Sequence, residues 1–547
     1  MSLIRNEIEY PPRTYKTVKQ LALPENKNIS IADIDSITKI HEKVHASVEG
    51  SKIVEFYNGK SIFLTGGTGF IGKLMTEKLL RTCTGIETLY LLVRPKRGKN
   101  AESRLDDTFD DEIFSELWKA QPKFRHKVVP IQGDITLPSL GMSNEDRNKL
   151  IQNVNVIIHG AACVRFDEPL KRAATVHIFG TKEIMTLAQQ CKNLVSLVHI
   201  STAYSQCAHK EIKEELYDPV YLTEPFLKMI ETNSEKYLEK HQDTILRGWP
   251  NTYSFTKALA EYTVQSMANN IPAAICRPGI VTSTYKEPLR SWIDNLYGPM
   301  GAIVGAGTGI MRTFHLDEEK IADLIPGDFV ANGVIAAGYQ NQFNEKGVIK
   351  VYNNISSAQN PITWGDFTNL AVYYGLQNPT VKSIWYYCNT LNKNRYIHFL
   401  FEFFLHLIPA LLIDGYLLLV GRKRRMVNIY KKIHKFSLLL SYFSLREWKM
   451  HNENLQKLWN NLSDKDKEIF EFSMAPEDFN WNSYISILGG GVRLYLLKDK
   501  METIPAAKRK YRRLYYLHNA FKGVCLLIAL KLLMSVVNIA MSIFSSS

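Results

Sequence analysis

The sequence lacks closely spaced cysteine pairs, an N-terminal apolar run and internal repeats. The first two absences each exclude a class of protein. The seven cysteines are scattered along 547 residues, and no two form a CxxC pair. A structural zinc site or a disulfide framework needs clustered cysteines, so we expect reduced thiols in a cytosol-facing protein and no metal site. The N-terminal stretch MSLIRNEIEYPPRTYK is not apolar, so we expect no signal peptide.

Positive charge, by contrast, is in excess. Lysine and arginine number 67 against 54 aspartates and glutamates, which gives a net charge of +13 at pH 7. A nucleic acid, an anionic membrane surface and a phosphorylated cofactor each suit that balance. With 45% hydrophobic residues, the chain is apolar and long enough for two or three folded units.

Apolar runs alternate with helical stretches between about residues 60 and 290. The runs SIFLTGG, ETLYLLVR, VNVIIHGAA, LVSLVHISTAY and IPAAICRPGIV are separated for the most part by amphipathic segments. Continuous apolar runs are typical of strands buried on both faces of a parallel sheet. The sequence therefore predicts an α/β fold with a Rossmann-like, doubly wound parallel sheet.

A glycine-rich turn follows the first of these runs. TGGTGFIGK places Gly66, Gly69 and Gly72 in a GxxGxxG frame between a predicted strand and a predicted helix. Glycines there permit a tight turn, a close approach of the backbone to a pyrophosphate and close helix packing. In this context the motif predicts dinucleotide binding rather than an ordinary turn.

The ends of the next two strands indicate which dinucleotide binds. LLVRPKRGK offers Arg94, Lys96 and Arg97 where an acidic residue would hold the ribose of NAD, which favours the 2′-phosphate of NADP. A solvated basic loop is the alternative. Asp134 and Ile135, in QGDI, end another strand, and we expect them near the adenine.

A hydroxyl, a phenol and an ammonium follow in an order that suits carbonyl reduction. HISTAYS places Ser201 and Thr202 at a strand end, and Tyr253 and Lys257 stand four residues apart in NTYSFTKALAEY. YKTVK near the N-terminus has the same spacing with no evident purpose, so the spacing alone means little. In this context we expect the hydroxyl to bind the carbonyl oxygen, Tyr253 to donate a proton and Lys257 to lower the tyrosine pKa.

Two apolar segments in the C-terminal third suggest a membrane. Residues 523–544 carry Lys531 as their only charge and follow a basic cluster, which predicts a membrane anchor with its basic flank in the cytosol; a buried core helix is the alternative. YIHFLFEFFLHLIPALLIDGYLLLV is also apolar but contains Glu402, His406 and Asp414. We expect a membrane-dipping hairpin or a substrate-covering element there, ahead of a spanning helix.

These motifs together resemble a known family. The chain resembles the extended short-chain dehydrogenase/reductases in its glycine frame, its Ser-Thr pair, YxxxK and RPGIV. It resembles the fatty acyl-CoA reductases, especially the insect type, in the segments AACVRFDEPL, PNTYSFTKALAE and FNWNSYISILGGGVRLYLLKD. The resemblance covers about residues 50 to 500. Two positions depart from the family pattern: Gly279 stands where a serine is frequent, and RSW replaces a more usual glycine before Trp292.

The resemblance implies an enzyme that uses two NADPH to reduce a long-chain fatty acyl-CoA to a fatty alcohol through a bound aldehyde. It assigns catalysis to Thr202, with Ser201 as the alternative, and to Tyr253 and Lys257. It implies a membrane-associated protein without nucleic acid, facing the cytosol from the endoplasmic reticulum or, alternatively, the peroxisome, and it leaves a homodimer open. The implied cofactor contacts are Gly66, Thr68, Gly69, Phe70, Ile71, Gly72, Arg94, Arg97, Asp134, Ile135, Tyr253, Lys257 and Pro278.

The predicted organisation has four parts. An extension covers residues 1–55, an NADP-binding reductase domain 56–380, a mainly helical C-terminal domain 381–500, and a basic linker with its transmembrane anchor 501–547. Three alternatives for the function remain. They are a reductase that stops at the aldehyde, a hydroxysteroid-type dehydrogenase, and a catalytically silent NADP-sensing membrane adaptor.

Overall fold

The computed structural model describes residue 44 and residues 47–95, 98–345 and 347–545. Most of the predicted extension, Lys96 and Arg97 lie outside the described residues. The strands, in chain order, are β1 (Ser61–Thr65), β2 (Thr88–Val93), β3 (Val128–Gln132), β4 (Val154–His159), β5 (Ser196–Ile200), β6 (Glu211–Ile212), β7 (Ala273–Pro278), β8 (Ile280–Thr282), β9 (Thr313–His315), β10 (Leu324–Pro326), β11 (Lys350–Asn354), β12 (Thr390–Asn392) and β13 (Lys449–Met450).

A seven-stranded parallel sheet forms the centre of the molecule and confirms the predicted α/β fold. Its order is β3-β2-β1-β4-β5-β7-β11, and every neighbouring pair runs parallel. The chain moves outward from β1 in one direction and then returns to add β4 on the other side. This reversal creates the crevice in which sheets of this type bind ligands, at the carboxyl ends of the strands.

The central positions of the strands are mostly apolar because helices cover both faces of the sheet. In β1, Ile62 and Leu64 belong to one core cluster, whereas Phe63 belongs to the cluster on the opposite face. The same alternation occurs in β5, where Val198 and Leu197 belong to different clusters. Burial on both faces thus explains the continuous apolar runs.

Helices form the two covering layers and most of the chain after residue 360. The 14-residue helix Trp364–Gln377 packs against Trp481–Gly491. The α-helices are Lys52–Tyr57, Phe70–Thr82, Ala101–Phe109, Ser115–Ala120, Asn144–Asn153, Leu170–Ala174, Gly180–Gln190, Thr223–Thr232, Glu235–Lys240, Gln242–Leu246, Thr252–Met267, Pro299–Gly307, Gly327–Gln340, Trp364–Gln377, Arg395–Phe401, Ile408–Leu419, Met426–Ser444, Glu453–Asn461, Asp464–Ile469, Trp481–Gly491 and Ile504–Ser545.

Buried polar contacts join the helical C-terminal region to the sheet region. The phenol of Tyr484 donates at 2.7 Å to the hydroxyl of Thr282, the last residue of β8. A second contact involves Asp466, which accepts from the Ser51 hydroxyl at 2.6 Å and from the Ile53 amide at 3.1 Å, before β1. The C-terminal helices are therefore packed onto the sheet region as part of the same core.

Two helical stretches of the described chain are long and apolar enough to cross a membrane. One is Arg395–Leu419, which passes through a π-helical segment at Glu402–Leu407. The other is Met501–Ile539, which includes most of the helix Ile504–Ser545, and no part of its apolar window is buried in the protein. Length and composition make both compatible with the predicted membrane association.

Candidate active site

The glycine turn lies at the crevice between β1 and β4. Gly66 has a φ of +79°, and a Cβ built on it would lie 2.8 Å from the carbonyl carbon of Gly160, which follows β4. A Cβ on Gly72 would lie 2.0 Å from the Gly66 oxygen. No larger residue fits either position, so the backbone forms an open cradle at the start of the helix Phe70–Thr82.

The residues predicted to contact the adenine half of the cofactor lie at the ends of β2 and β3, near each other. A guanidinium nitrogen of Arg94 lies 3.6 Å from the Asp134 carboxylate. That carboxylate also accepts from the amide and the hydroxyl of Thr136 at 2.9 and 2.8 Å. Ile135 packs closely against Gly180, where a Cβ would lie 2.3 Å from the isoleucine side chain.

Thr202 and Ser201 both follow β5, but their hydroxyls have different surroundings. Ser201 donates a very short hydrogen bond to the buried carboxylate of Glu261. Thr202 lines the cavity at the strand ends, and its hydroxyl has only a long contact, 3.4 Å, to the Pro278 carbonyl besides its contacts with Tyr204 and Tyr253. Both residues line the cavity, but the Ser201 hydroxyl is engaged by the Glu261 carboxylate and the Thr202 hydroxyl has no carboxylate partner among the described residues, which favours Thr202 of the two sequence candidates.

Tyr253 stands at the start of its helix because Asn251 caps that helix. The Asn251 side chain accepts from the Ser254 amide at 2.9 Å, so the helix begins at Thr252. The Tyr253 ring packs against the rings of Phe166 and His177 and lines the cavity. Burial raises the pKa of Tyr253 to about 12, and a hydrogen bond with Thr202 opposes that rise.

Lys257 lies one turn further along the helix, deeply buried. Its ammonium donates to the Ile200 carbonyl at 2.6 Å and lies 3.4 Å from His199 Nε2. Burial lowers the pKa of Lys257 to about 8, while the Glu261 carboxylate acts in the opposite direction. The sequence led us to expect a lowered tyrosine pKa; in the structure that pKa is raised, because burial outweighs the other influences.

Three buried histidines surround this lysine, and burial is the main reason that each has a lowered pKa. The pKa of His159 falls to about 3, and those of His177 and His199 lie well below their usual range. His159 bonds two threonines, Thr65 at 2.8 Å and Thr181 at 3.1 Å. All three rings are therefore neutral at pH 7, and they leave Lys257 as the cation of this cluster.

A cavity of about 1150 Å³ joins these residues to an apolar compartment. The polar end holds the glycine turn, Thr202 and Tyr253, and the other end reaches Tyr511 in the C-terminal helix. Of the predicted contacts, Gly66, Thr68, Gly69, Phe70, Ile71, Gly72, Thr202, Tyr253 and Pro278 line it, whereas Arg94, Asp134, Ile135 and Lys257 do not. The apolar walls include Ile303, Phe314, Trp364, Phe367, Ala371, Phe436, Leu440, Phe443, Leu488 and Val492.

Comparison with known proteins agrees with this arrangement. An NAD-binding family model described as "Male sterility protein" matches residues 64–334, and a second model of that description matches 405–499. Fatty acyl-CoA reductase wat of Drosophila melanogaster is 42% identical over 463 residues, covering 85% of this chain and 89% of the relative. Fatty acyl-CoA reductase 1 of Homo sapiens is 35% identical over 479 residues, covering 87% and 92%. The chain belongs to the fatty acyl-CoA reductase family.

Solved structures support the fold of this reductase. The terminal R domain of a myxalamid biosynthetic pathway aligns with a TM-score of 0.55 at 17% identity, covering 86% of this chain and 99% of that domain. The reductase domain of a nonribosomal peptide synthetase from Mycobacterium tuberculosis gives the same TM-score and identity, covering 86% and 96%. The match of the NAD-binding model makes the glycine turn part of a nicotinamide-dinucleotide-binding domain.

The two departures from the reductase pattern have different local reasons. A Cβ on Gly279 would lie 2.5 Å from the Asp323 carbonyl oxygen, so a serine would require the backbone to shift. Ser291 has a φ of +56°, a conformation that glycine adopts more easily. Serine is nevertheless accommodated there, and its hydroxyl lies 3.3 Å from that of Ser283.

Sequence reasoning missed the carboxylate that organises the polar end of this reductase's cavity. Glu261 is fully buried and pairs with Arg277 through contacts of 3.0 and 2.7 Å. It also accepts from Ser201, Ser205 and Gln206. Its position eight residues after Tyr253 on an apolar helix, with RPGIV ending a strand nearby, was the only available signal.

Proposed function

We propose that this chain reduces a long-chain fatty acyl-CoA to a fatty alcohol and CoA at the expense of two NADPH, through a bound aldehyde. One observation carries the proposal: a buried hydroxyl–phenol pair lies where a dinucleotide cradle meets an apolar compartment. A carbonyl on a long chain suits that junction, because the carbonyl oxygen needs the polar end and the chain needs the apolar one.

The cradle fits a nicotinamide dinucleotide. Gly66 and Gly72 leave room for backbone approach that any Cβ would fill, and the helix Phe70–Thr82 presents its amino terminus to a pyrophosphate. When bound, the nicotinamide supplies hydride to the carbonyl carbon, first of the thioester and then of the aldehyde. We propose that Lys257 lies behind Tyr253 to supply positive charge next to the phenol.

Tyr253 is suited to keep its proton at neutral pH and to donate it to the substrate oxygen during the reduction. Its raised pKa keeps the phenol protonated throughout the neutral range. As negative charge develops on the substrate oxygen, the phenol O–H donates to it and Thr202 holds the oxygen in place. In the second reduction this transfer gives the alcohol. In the first, collapse of the hemithioacetal breaks the carbon–sulfur bond and releases CoA as the thiolate.

We propose NADPH rather than NADH because the edge of the adenine pocket is basic. Arg94 is about half exposed, with 49% of its side chain accessible, at the end of β2. No carboxylate follows β2 in the sequence RPKRGK. An exposed guanidinium, even with Asp134 3.6 Å away, suits a 2′-phosphate, whereas NAD-specific sites place an acidic residue directly after this strand. Arg97, the second predicted contact, lies outside the described residues.

We also propose that the protein is bound to a membrane and that the chain divides into the four parts predicted from the sequence. Residues 523–544 would cross the bilayer after the basic segment 508–522, which leaves the catalytic region in the cytosol. A tail anchor of this kind suits the endoplasmic reticulum, with the peroxisomal membrane as the alternative. A long-chain acyl-CoA partitions into membranes, so an anchored enzyme would meet its substrate there. A homodimer would be compatible with this arrangement.

The decisive experiment incubates the purified full-length chain with NADPH and acyl-CoAs of several lengths. We expect two NADPH oxidised per acyl-CoA and a primary alcohol as the product. One NADPH per acyl-CoA with release of the aldehyde would favour a reductase that stops at the aldehyde. NADPH oxidation with ketosteroids, tested in parallel, but with no acyl-CoA would favour a hydroxysteroid-type dehydrogenase. Binding of NADPH without oxidation by any acyl-CoA would leave the silent adaptor.

The proposed proton donor has a control on its own helix. Tyr253→Phe removes the phenol, and we expect kcat for aldehyde reduction to fall by about 10²- to 10⁴-fold. Tyr262→Phe, on the same helix but away from the cavity lining, should retain activity. Equal activity of the two variants would contradict the role of Tyr253.

A further inference from the structure

Residues 395–444 form an antiparallel helical hairpin, hereafter the hairpin. Its first arm is Arg395–Leu419 and its second is Met426–Ser444. His406 contacts His434 at 3.0 Å, and Asp414 accepts from the amides of Arg425, Met426 and Val427 at 2.9 to 3.0 Å. Asp414, which appeared from sequence to interrupt a membrane span, fixes the start of the returning arm.

Both ends of the hairpin are attached to the same strand of the catalytic region. At its start, His398 contacts the Thr313 hydroxyl of β9 at 3.2 Å. At its end, the Ser444 hydroxyl donates to the His315 carbonyl of β9 at 2.7 Å. The hairpin therefore leaves and re-enters the catalytic region at one place.

The first arm has its polar and apolar sides reversed relative to a soluble surface helix. His398, His406 and Asp414 are almost fully buried, and Glu402 lies 3.2 Å from His398. The large apolar side chains point outward, with Leu412 at 70% and Leu419 at 88% exposure. The exposed set is Tyr396, Ile397, Phe399, Leu400, Phe403, Phe404, Leu411, Leu412, Ile413, Tyr416, Leu418, Leu419 and Val420.

An outward apolar face of this size requires a nonaqueous partner. The sequence at the tip of the hairpin, Arg422–Lys423–Arg424–Arg425, is exposed and carries four consecutive positive charges. Anionic lipid headgroups complement that charge, and the apolar face would lie among the upper parts of the acyl chains.

The hairpin also lies beside the base of the C-terminal helix. The Arg312 amide donates to His406 in the first arm at 2.9 Å, and its guanidinium lies 5.5 Å from the Trp385 ring. Trp385 in turn donates to His518 of the C-terminal helix at 3.0 Å. His518 stands just before the apolar stretch that begins at residue 523. Arg312 and Trp385 thus connect the hairpin to the C-terminal helix close to the point where that helix would enter the bilayer.

We propose that the hairpin is a second membrane contact that lies in the cytosolic leaflet without crossing it. A crossing would carry the four cations to the far side, against the usual distribution of positive charge. The returning arm would also have to cross, although Lys431, Lys432 and Lys435 are exposed on it. Phe436, Leu439, Leu440 and Phe443 on that arm line the cavity, so the hairpin separates the cavity from the leaflet.

The test uses the full-length chain in vesicles that contain lipids brominated near the headgroup. Leu412→Trp places a reporter on the first arm, and Phe343→Trp is its control. Phe343 is 61% exposed and follows the helix Gly327–Gln340, near the amino-terminal ends of β5 and β7. With the wild-type signal subtracted, we expect at least twofold stronger quenching of the Leu412 reporter than of the control. Equal quenching of the two would overturn the proposal.

Two further measurements test the alternatives, namely a hairpin that crosses the bilayer and a second copy of the chain that covers the apolar face. Lys393→Cys and Lys423→Cys flank the first arm, and both should react with a membrane-impermeant maleimide added on the catalytic side. Protection of the Lys423→Cys site until the vesicles are permeabilised would show a crossing and overturn the proposal. Leu412→Cys crosslinking into dimers, without lipid quenching, would show that a second copy covers the face and would overturn it as well.

The cationic tip has its own readout. Replacing Arg422, Lys423, Arg424 and Arg425 by glutamine should abolish any increase in Leu412 quenching caused by adding phosphatidylserine to phosphatidylcholine vesicles. An unchanged dependence on phosphatidylserine would remove the proposed role of the tip. These readouts do not require catalysis, so a failure of the proposed function would be seen separately, as the lack of NADPH oxidation.

Discussion

The two ends of the cavity are built by different means. At the polar end, strand ends and one helix hold Thr202, Tyr253 and Lys257, and a buried carboxylate holds the turn that carries Thr202. At the apolar end, helices from five separate parts of the chain contribute side chains, and most of these act through packing. Hydrogen-bonded geometry tolerates little change, whereas packed apolar walls tolerate substitutions that conserve volume.

The largest effect is expected from breaking the buried pair at the polar end. Glu261→Ala leaves the Arg277 guanidinium buried with its remaining carbonyl partners, and we expect a loss of about 3–5 kcal/mol of folding stability. Thermal unfolding measures that loss. The control is Glu224→Ala, which removes an exposed partner of Lys182 and should cost about 0–1 kcal/mol. Similar melting temperatures for the two variants would contradict a central role for Glu261.

Lys257 gives the polar end a pH dependence. Its pKa of about 8 leaves the ammonium largely protonated at pH 7, and raising the pH through 8 removes the positive charge. We therefore expect kcat/KM for aldehyde reduction to fall tenfold per pH unit above about 8. The phenol, with a pKa of about 12, stays protonated over this range.

A substitution assigns that fall to the lysine. Lys257→Arg keeps a positive charge at every accessible pH, so whatever activity remains should no longer fall above pH 8. The measurement is the pH profile of kcat/KM, not its absolute value. A fall at the same pH in both proteins would assign the titration to another group.

Most residues of the polar end could be predicted from the sequence because they lie in short local motifs. Features that depend on contacts between distant segments could not be predicted. The glycine turn, Thr202, Tyr253 and Lys257 each belong to a short motif next to a strand or helix, so their neighbours in the chain fix their positions. Glu261 has no such motif, and its partners come from β7 and from the turn after β5. The raised pKa of Tyr253 also escaped prediction, because it depends on burial by distant residues such as Phe166.

The apolar end could be predicted only in outline. Composition indicated an apolar element after residue 395, but not that its second arm would line a cavity together with helices 299–307, 364–377 and 481–491. Such walls arise from contacts between segments far apart in sequence. Asp414 illustrates the difficulty: as a charge it argued against a span, and in the structure it caps the start of an antiparallel arm.

A bulky residue at the apolar end should alter chain-length preference without altering the chemistry. Ala371, on the helix Trp364–Gln377, lines the cavity, and Ala371→Phe would fill part of its volume. We expect kcat/KM for the longest acyl-CoA accepted to fall about tenfold, since loss of one or two methylene sites costs on that order. Short acyl-CoAs provide the internal control, and a uniform loss across all lengths would show a general packing defect.

The smallest effect is expected at the adenine edge, outside both ends of the cavity. Arg94 is about half exposed, and its carboxylate neighbour Asp134 lies 3.6 Å away, so solvent screens any charge that the guanidinium meets. Arg94→Gln should therefore raise the KM for NADPH only about fivefold, which corresponds to about 1 kcal/mol, and leave the KM for NADH unchanged. Initial rates with each cofactor measure both values. An equal rise for the two cofactors would mean that Arg94 supports the shape of the pocket and does not bind a 2′-phosphate. A rise for NADPH alone would show that selectivity for the cofactor is set by an exposed charge, independently of the buried contacts that hold Thr202 and Lys257.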